Sequence, residues 1–195
     1  MISDIKLVKQ LREKTGASMI ECQKAVEEAN RDLVKAEEIL RKKGQKIVDK
    51  KAGRETKFGI VGVYLHSNEK VAGLVGISCE TDFVARNAEF KELAHDLAMQ
   101  VVAIHPTYLA PEDVPAEILA KEKEIYTAEL KKEKKPEAMM NKILEGKLAK
   151  FFEEQCLMKQ KFIKDDKLTV EDLVKAKIAK LGENIKVKKF FKFEI

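Results

Sequence analysis

Residues 60–79 read IVGVYLHSNEKVAGLVGISC, and the eight that follow, 80–87, read ETDFVARN. Two runs rich in Val, Ile and Gly, 60–66 and 71–79, flank Ser67-Asn68-Glu69, which is a β-hairpin pattern. On the second run Val71, Gly73, Val75, Ile77 and Cys79 share one face. Ala72, Leu74, Gly76 and Ser78 share the other, because side chains alternate along a strand. Gly62, Gly73 and Gly76 weaken strands, so they point to something packed closely on the sheet. A third strand is predicted over 185–193, where Ile185, Val187, Phe191 and Phe193 alternate.

Outward from this hairpin the pattern is helical. Asn87 is a capping residue for a helix with Phe90, Leu93, Ala94, Leu97, Ala98 and Val101 on one stripe, stopped by Pro106. After Pro111 and Pro115, residues 116–134 and 137–155 predict two charged helices around Pro136, a helical hairpin. Thr169 with Asp172 caps a last helix through Leu173, Val174 and Ile178 to Gly182. In front of the hairpin, the first fifty residues read as three short helices. Ile5, Val8 and Leu11 mark the first, which ends near Gly16. Ser18 and Glu21 form a capping box for the second, which runs through Ile20, Ala25 and Val26. Asp32 caps the third, with Val34, Ile39 and Leu40 on one face and an end at Lys43-Gly44. Residues 45–58 are Lys-rich without a clear apolar period, and read as a linker whose first part extends the third helix. The expected architecture is α+β: a three-stranded antiparallel sheet covered by helices, behind a helical module. The expected boundaries are 1–50 for the module, 51–58 for the linker and 59–195 for the core.

The chain has 195 residues, 45% hydrophobic and 36% charged, with a net charge of +5 and a pI near 8.9. That composition supports a buried core and argues against disorder. Lys and Glu are interspersed, so the charge reads as a mixed solvated surface rather than a nucleic-acid face. No stretch approaches the roughly 20 apolar residues of a membrane span. Met1-Ile2-Ser3-Asp4 leads directly into amphipathic helix, unlike a secretory signal, so a cytoplasmic location is expected. Cys22, Cys79 and Cys156 lie in apolar segments without metal-ligand spacing and are expected as reduced, buried thiols.

A search for chemistry returns little. The chain has no phosphate-binding glycine loop, nucleophile elbow or Cys-x-x-Cys. His66, His95 and His105 fall at element ends or off the apolar stripe, and read as surface or turn residues. Neither a catalytic residue nor a cofactor or metal site is expected. The unusual segment is 80–87, where Thr81 or Asp82 can cap a first helical turn after a strand. Phe83 there is either a core plug, which composition alone favours, or an exposed aromatic wedge beside a carboxylate, which is hot-spot chemistry for a protein interface.

The run Glu80 to Asn87 resembles the signature of the elongation factor Ts family, with its Thr-Asp-Phe-Val at Thr81, Asp82, Phe83 and Val84. The opening Val8 to Ala17, together with Cys22, Lys24-Ala25 and Leu40 to Gly44, resembles that family's ubiquitin-associated-like N-terminal module. Gly59 to His66, Met99 to Ala103, Glu154 to Leu157, Phe162 to Asp165 and Phe190 to Glu194 resemble successive parts of its core. Gln23 and Phe58 stand where the family commonly has Lys and Glu, and the chain ends at Ile195 without the usual Gly-Glu tail. The resemblance implies an exchange factor without covalent chemistry. It implies binding to elongation factor Tu in its GDP state, with Asp82 and Phe83 entering near the magnesium site so that GDP leaves and GTP rebinds. Asp82 would act there by hydrogen bonding or by repulsion. The family's shorter members can pair two chains, and a noncovalent homodimer is expected here too. Contact with nucleic acid or membrane is not expected. The competing reading is an RNA- or ribosome-binding protein that uses the Lys clusters at 42–51 and 186–192.

Overall fold

A computed structural model describes residues 2–133 and 136–195. Met1 and Lys134, to which the predicted N-terminus and first hairpin helix extend, lie outside the described residues. Helices α1 (Ile2–Thr15), α2 (Met19–Glu28) and α3 (Leu33–Lys51) open the chain. Gly16, at φ 66°, ends α1. The Ser18 hydroxyl accepts the Glu21 N–H at 3.3 Å, and the Glu21 carboxylate accepts the Ser18 N–H at 3.1 Å, so the predicted capping box is present. Asp32 caps α3 through the N–H groups of Val34 and Lys35.

The interior of this module is small: Val8, Leu11, Cys22, Ala25, Val26, Ala29 and Ala36. Ile5, Ile20 and Val34, expected on the inward stripes, are exposed. Three of the seven interior residues are alanines, and so narrow a seam has no room for every apolar residue at helical spacing.

Helix α3 does not stop at Gly44. It continues seven residues further, to Lys51, and Val48 packs on the second core. The first part of the Lys-rich stretch thus extends the third helix, as its sequence suggests, and Val48 gives that extension a packing contact. Gly44 lies against Ala179 of α8 (Val170–Leu181).

The second core is built on β1 (Phe58–Leu65), β2 (Val71–Cys79) and β5 (Lys186–Glu194), antiparallel in the order β1-β2-β5. Helix α5 (Ala88–Ile104) crosses the inner face and buries Phe90, Leu93, Ala94, Leu97, Ala98 and Val101, the stripe predicted for it. It approaches so closely that a Cβ on Gly62 would stand 2.2 Å from the Ala94 carbonyl oxygen, and one on Gly73 2.3 Å from that of Ala98. Gly76 differs: nothing there is nearer than 3.8 Å. Val170, Val174 and Ile178 of α8 complete this core.

Strand β5 departs from the predicted alternation. Ile77 pairs with Val187 but Gly76 pairs with Lys189, so one extra residue is bulged between them. Beyond the bulge the parity is reversed. Val187 and Phe190 pack on the core, while Phe191 and Phe193 turn to the outer face, 64% and 67% exposed.

Helices α6 (Ala116–Lys132) and α7 (Glu137–Gln155) pack on each other, with Lys147 2.8 Å from Glu129 and over the Tyr126 ring. A small hairpin of β3 (Lys161–Phe162) and β4 (Asp165–Thr169) was not predicted, because so short a strand shows no alternation. It is anchored by the fully buried Gln100. The Gln100 amide donates to Gln160 Oε1 and the Lys161 carbonyl, and its oxygen accepts the Ile163 N–H at 3.0 Å.

Candidate protein-binding site

Strand β2 ends in the segment singled out from the sequence. Thr81, extended at φ −128°, is the N-cap of α4 (Asp82–Arg86), and its hydroxyl accepts the Val84 N–H at 3.4 Å. The four residues then part company. Val84 and Ala85 turn inward onto the second core. Asp82 is partly exposed and pairs with Arg86 at 3.0 Å. Phe83 points into solvent and is 83% exposed, the most exposed large apolar side chain among the described residues. In this chain Phe83 is therefore no core plug.

The turn is held from the loop that leads into the neighbouring strand β5, at the same end of the sheet. Glu183 Oε2 accepts the backbone N–H groups of Glu80 and Thr81 at 3.1 and 3.0 Å, and Oε1 accepts the Thr81 hydroxyl at 2.6 Å. In return, the Glu80 carboxylate accepts the Asn184 N–H at 2.7 Å and pairs with Arg54 at 3.2 Å. The Asn184 amide donates to the carbonyls of Ala52 and Arg54, tying the chain that leaves α3 to the same point. The Asn184 N–H, seconded by Arg54, holds the Glu80 carboxyl below the ordinary glutamate range. Burial, and then the negative charge of Glu183, pushes the Cys79 thiol up to about 11; that thiol donates to the Thr81 carbonyl at 3.1 Å. Sequence reasoning missed Arg54, Glu183 and Asn184. Their partners are distant along the chain, and the pairing of β2 with β1 on one side and β5 on the other brings them together.

The histidines lie elsewhere. His66 contacts the Tyr64 hydroxyl, His95 the Val63 carbonyl, and His105 is the left-handed cap of α5 beside Lys192. Among the described residues, no group of His, Cys, Asp and Glu is placed to hold a metal ion, and none of the described helices is long and apolar enough to cross a membrane. The three cysteines are free and buried.

Fold and site together define an α+β protein that offers a held, exposed aromatic side chain. A family model described as Elongation factor TS matches residues 5–195. The elongation factor Ts of Thermosipho melanesiensis is 56% identical over 190 residues, covering 97% of each chain. That of Thermotoga maritima is 56% identical over 189 residues, 97% of this chain and 94% of its own. That of Moorella thermoacetica is 52% identical over 188 residues, 96% and 93% of the two chains. This chain belongs to the elongation factor Ts family, and so to the translation elongation factors.

Proposed function

We propose that this protein binds elongation factor Tu in its GDP state and speeds GDP release, working in the cytoplasm without covalent chemistry of its own. Residues 1–50, a ubiquitin-associated-like module, dock on the GTP-binding domain. Residues 51–58 connect, and residues 59–195 present the inserting turn, with α6 and α7 as a helical hairpin. The observation that carries this reading is Phe83, 83% exposed on a turn fixed by hydrogen bonds. An exposed aromatic ring on a turn held this firmly has the form of an interface hot spot.

GDP is held by phosphate contacts and by a magnesium ion whose surrounding switch elements are bistable. A side chain inserted beside them removes support from the metal and loosens the phosphates. In this geometry Phe83 supplies the apolar insertion and Asp82 the adjacent charge, while Thr81 and Val84 build the turn that carries them. Exchange by this route is reciprocal: whatever factor the protein takes from GDP affinity, GDP takes from the protein's. Direction then comes from the nucleotide pool.

Release of fluorescent GDP from elongation factor Tu tests the reading. Phe83→Ala should slow stimulated release tenfold or more, a loss of about 1.4 kcal/mol at the transition state, with the fold intact. Unchanged release by the folded variant overturns it. The outer sheet face has its own reading: a second copy of this chain covers it.

A further inference from the structure

Helix α4 has five residues, far below the length at which a helix holds itself in water. Its apolar anchors, Val84 and Ala85, fix depth in the core but are non-directional. Phe83, mostly in solvent, contributes little to its own placement. What fixes direction is a single carboxylate from the loop between α8 and β5. Glu183 receives three hydrogen bonds from two adjacent residues, 102 and 103 positions earlier in the chain. Charge-assisted bonds of this kind are short and angularly demanding.

Resting on the exchange reading above, we propose that Glu183 is the positioning residue of this site: its carboxylate fixes the strand-to-helix turn so that Phe83 meets the GTPase in one orientation. Through the neighbouring Asn184, the same loop grips the Ala52 and Arg54 carbonyls, so the turn and the exit of α3 share one anchor. A partner meeting a pre-ordered wedge does not have to order it, and the free energy of insertion goes into displacing the switch elements.

The test compares full-length Glu183→Ala, Glu183→Gln, Phe83→Ala and the double variant Phe83→Ala/Glu183→Ala in stimulated release of fluorescent GDP from elongation factor Tu. Amide hydrogen exchange of the free proteins accompanies it. Glu183→Ala should lower the saturating release rate about tenfold, near the worth of one charge-assisted hydrogen bond. It should also speed amide exchange at Glu80 and Thr81 while leaving β2 protected. Glu183→Gln keeps one acceptor oxygen for the two N–H groups and should fall between wild type and Glu183→Ala; it also serves if the alanine variant does not fold. In the Phe83→Ala background, Glu183→Ala should have no further effect on the rate. Full additivity in that cycle overturns the proposal, as does unchanged amide exchange at Glu80 and Thr81. If Phe83→Ala slows release and neither folded Glu183 variant does, positioning fails while the exchange reading stands. If Phe83→Ala itself leaves release unchanged, the exchange reading fails, and the amide exchange alone decides whether Glu183 holds the turn.

Discussion

Phe83 and Val84 are consecutive apolar residues on one helical turn, yet one faces water and the other the core. The difference follows from the Thr81 cap: once Thr81 starts the helix, the 100° step between neighbours puts only one of them against the sheet. Their substitutions should therefore separate. Val84→Ala removes two methyl groups from a packed position and should lower stability by about 1–1.5 kcal/mol. Phe83→Ala should stay within about 0.5 kcal/mol of wild type, as surface changes do. Urea unfolding monitored by circular dichroism checks both, and equal losses would mean that Phe83 is not free in solution. Glu80 makes a second prediction. Its carboxyl is held below the ordinary value, so folding favours the ionised form. Its stabilisation is complete above about pH 4.5, the unfolded value, and is lost as pH falls through the lower folded value. The gap in melting temperature between wild type and Glu80→Gln should be fully open at about pH 6 and should narrow as the pH falls below about 4.5. A gap independent of pH would assign the effect to something other than charge. Of the site, the Thr81 cap was readable, because capping is a local rule. The exposure of Phe83 and the clamp from Glu183 were not, because both depend on which strand lies beside β2.

At the scale of elements, the sheet and α5 were readable because burial imposes strict periods on both. Gly62 and Gly73 also carried their meaning in the sequence, since α5 crosses where they leave room. A methyl group at Gly62 would collide with the Ala94 carbonyl, which is backbone and cannot swing away. Gly62→Ala should cost roughly 1–3 kcal/mol or more, whereas Gly76→Ala, whose methyl would meet only the Lys189 carbonyl oxygen at an ordinary 3.8 Å, should be nearly neutral. Equilibrium unfolding of the two variants decides, and equal tolerance would show that the helix can lift from the sheet. The elements that sequence rules misjudged share one cause. The bulge in β5 and the β3–β4 hairpin are set by neighbours remote in the chain. A bulge leaves both flanking alternations intact and changes only their phase, so inspection of Val187 or Phe191 alone gives no warning.

That change of phase has its largest consequence for the whole molecule. With Phe191 and Phe193 outward, the outer face joins them to Val61, Val63, Leu65 and Leu74, all exposed. Strand pairing places Val63 opposite Leu74 and Leu74 opposite Phe191, so these side chains form one continuous apolar surface across three strands. A soluble chain seldom leaves such a surface wet. The edge of β5 carries Lys186, Lys188, Lys189 and Lys192, which discourage the addition of another strand. Face-to-face packing remains, in the manner of two sheets sharing an interior. Lys189, opposite Gly76, borders the patch on this face, and the apolar residues themselves suit a two-fold contact that pairs one patch with itself. The proposed homodimer should therefore appear in light scattering at micromolar concentration as a species of twice the 22.1 kDa chain mass. Cys22, Cys79 and Cys156 are all buried, so reductant should leave that species unchanged. Phe191→Lys places two charges in the shared interior and should return the mass to that of one chain, with the helical circular dichroism retained. A wild-type mass of one chain at that concentration rules the pairing out, and a folded Phe191→Lys that still pairs moves the interface away from the sheet.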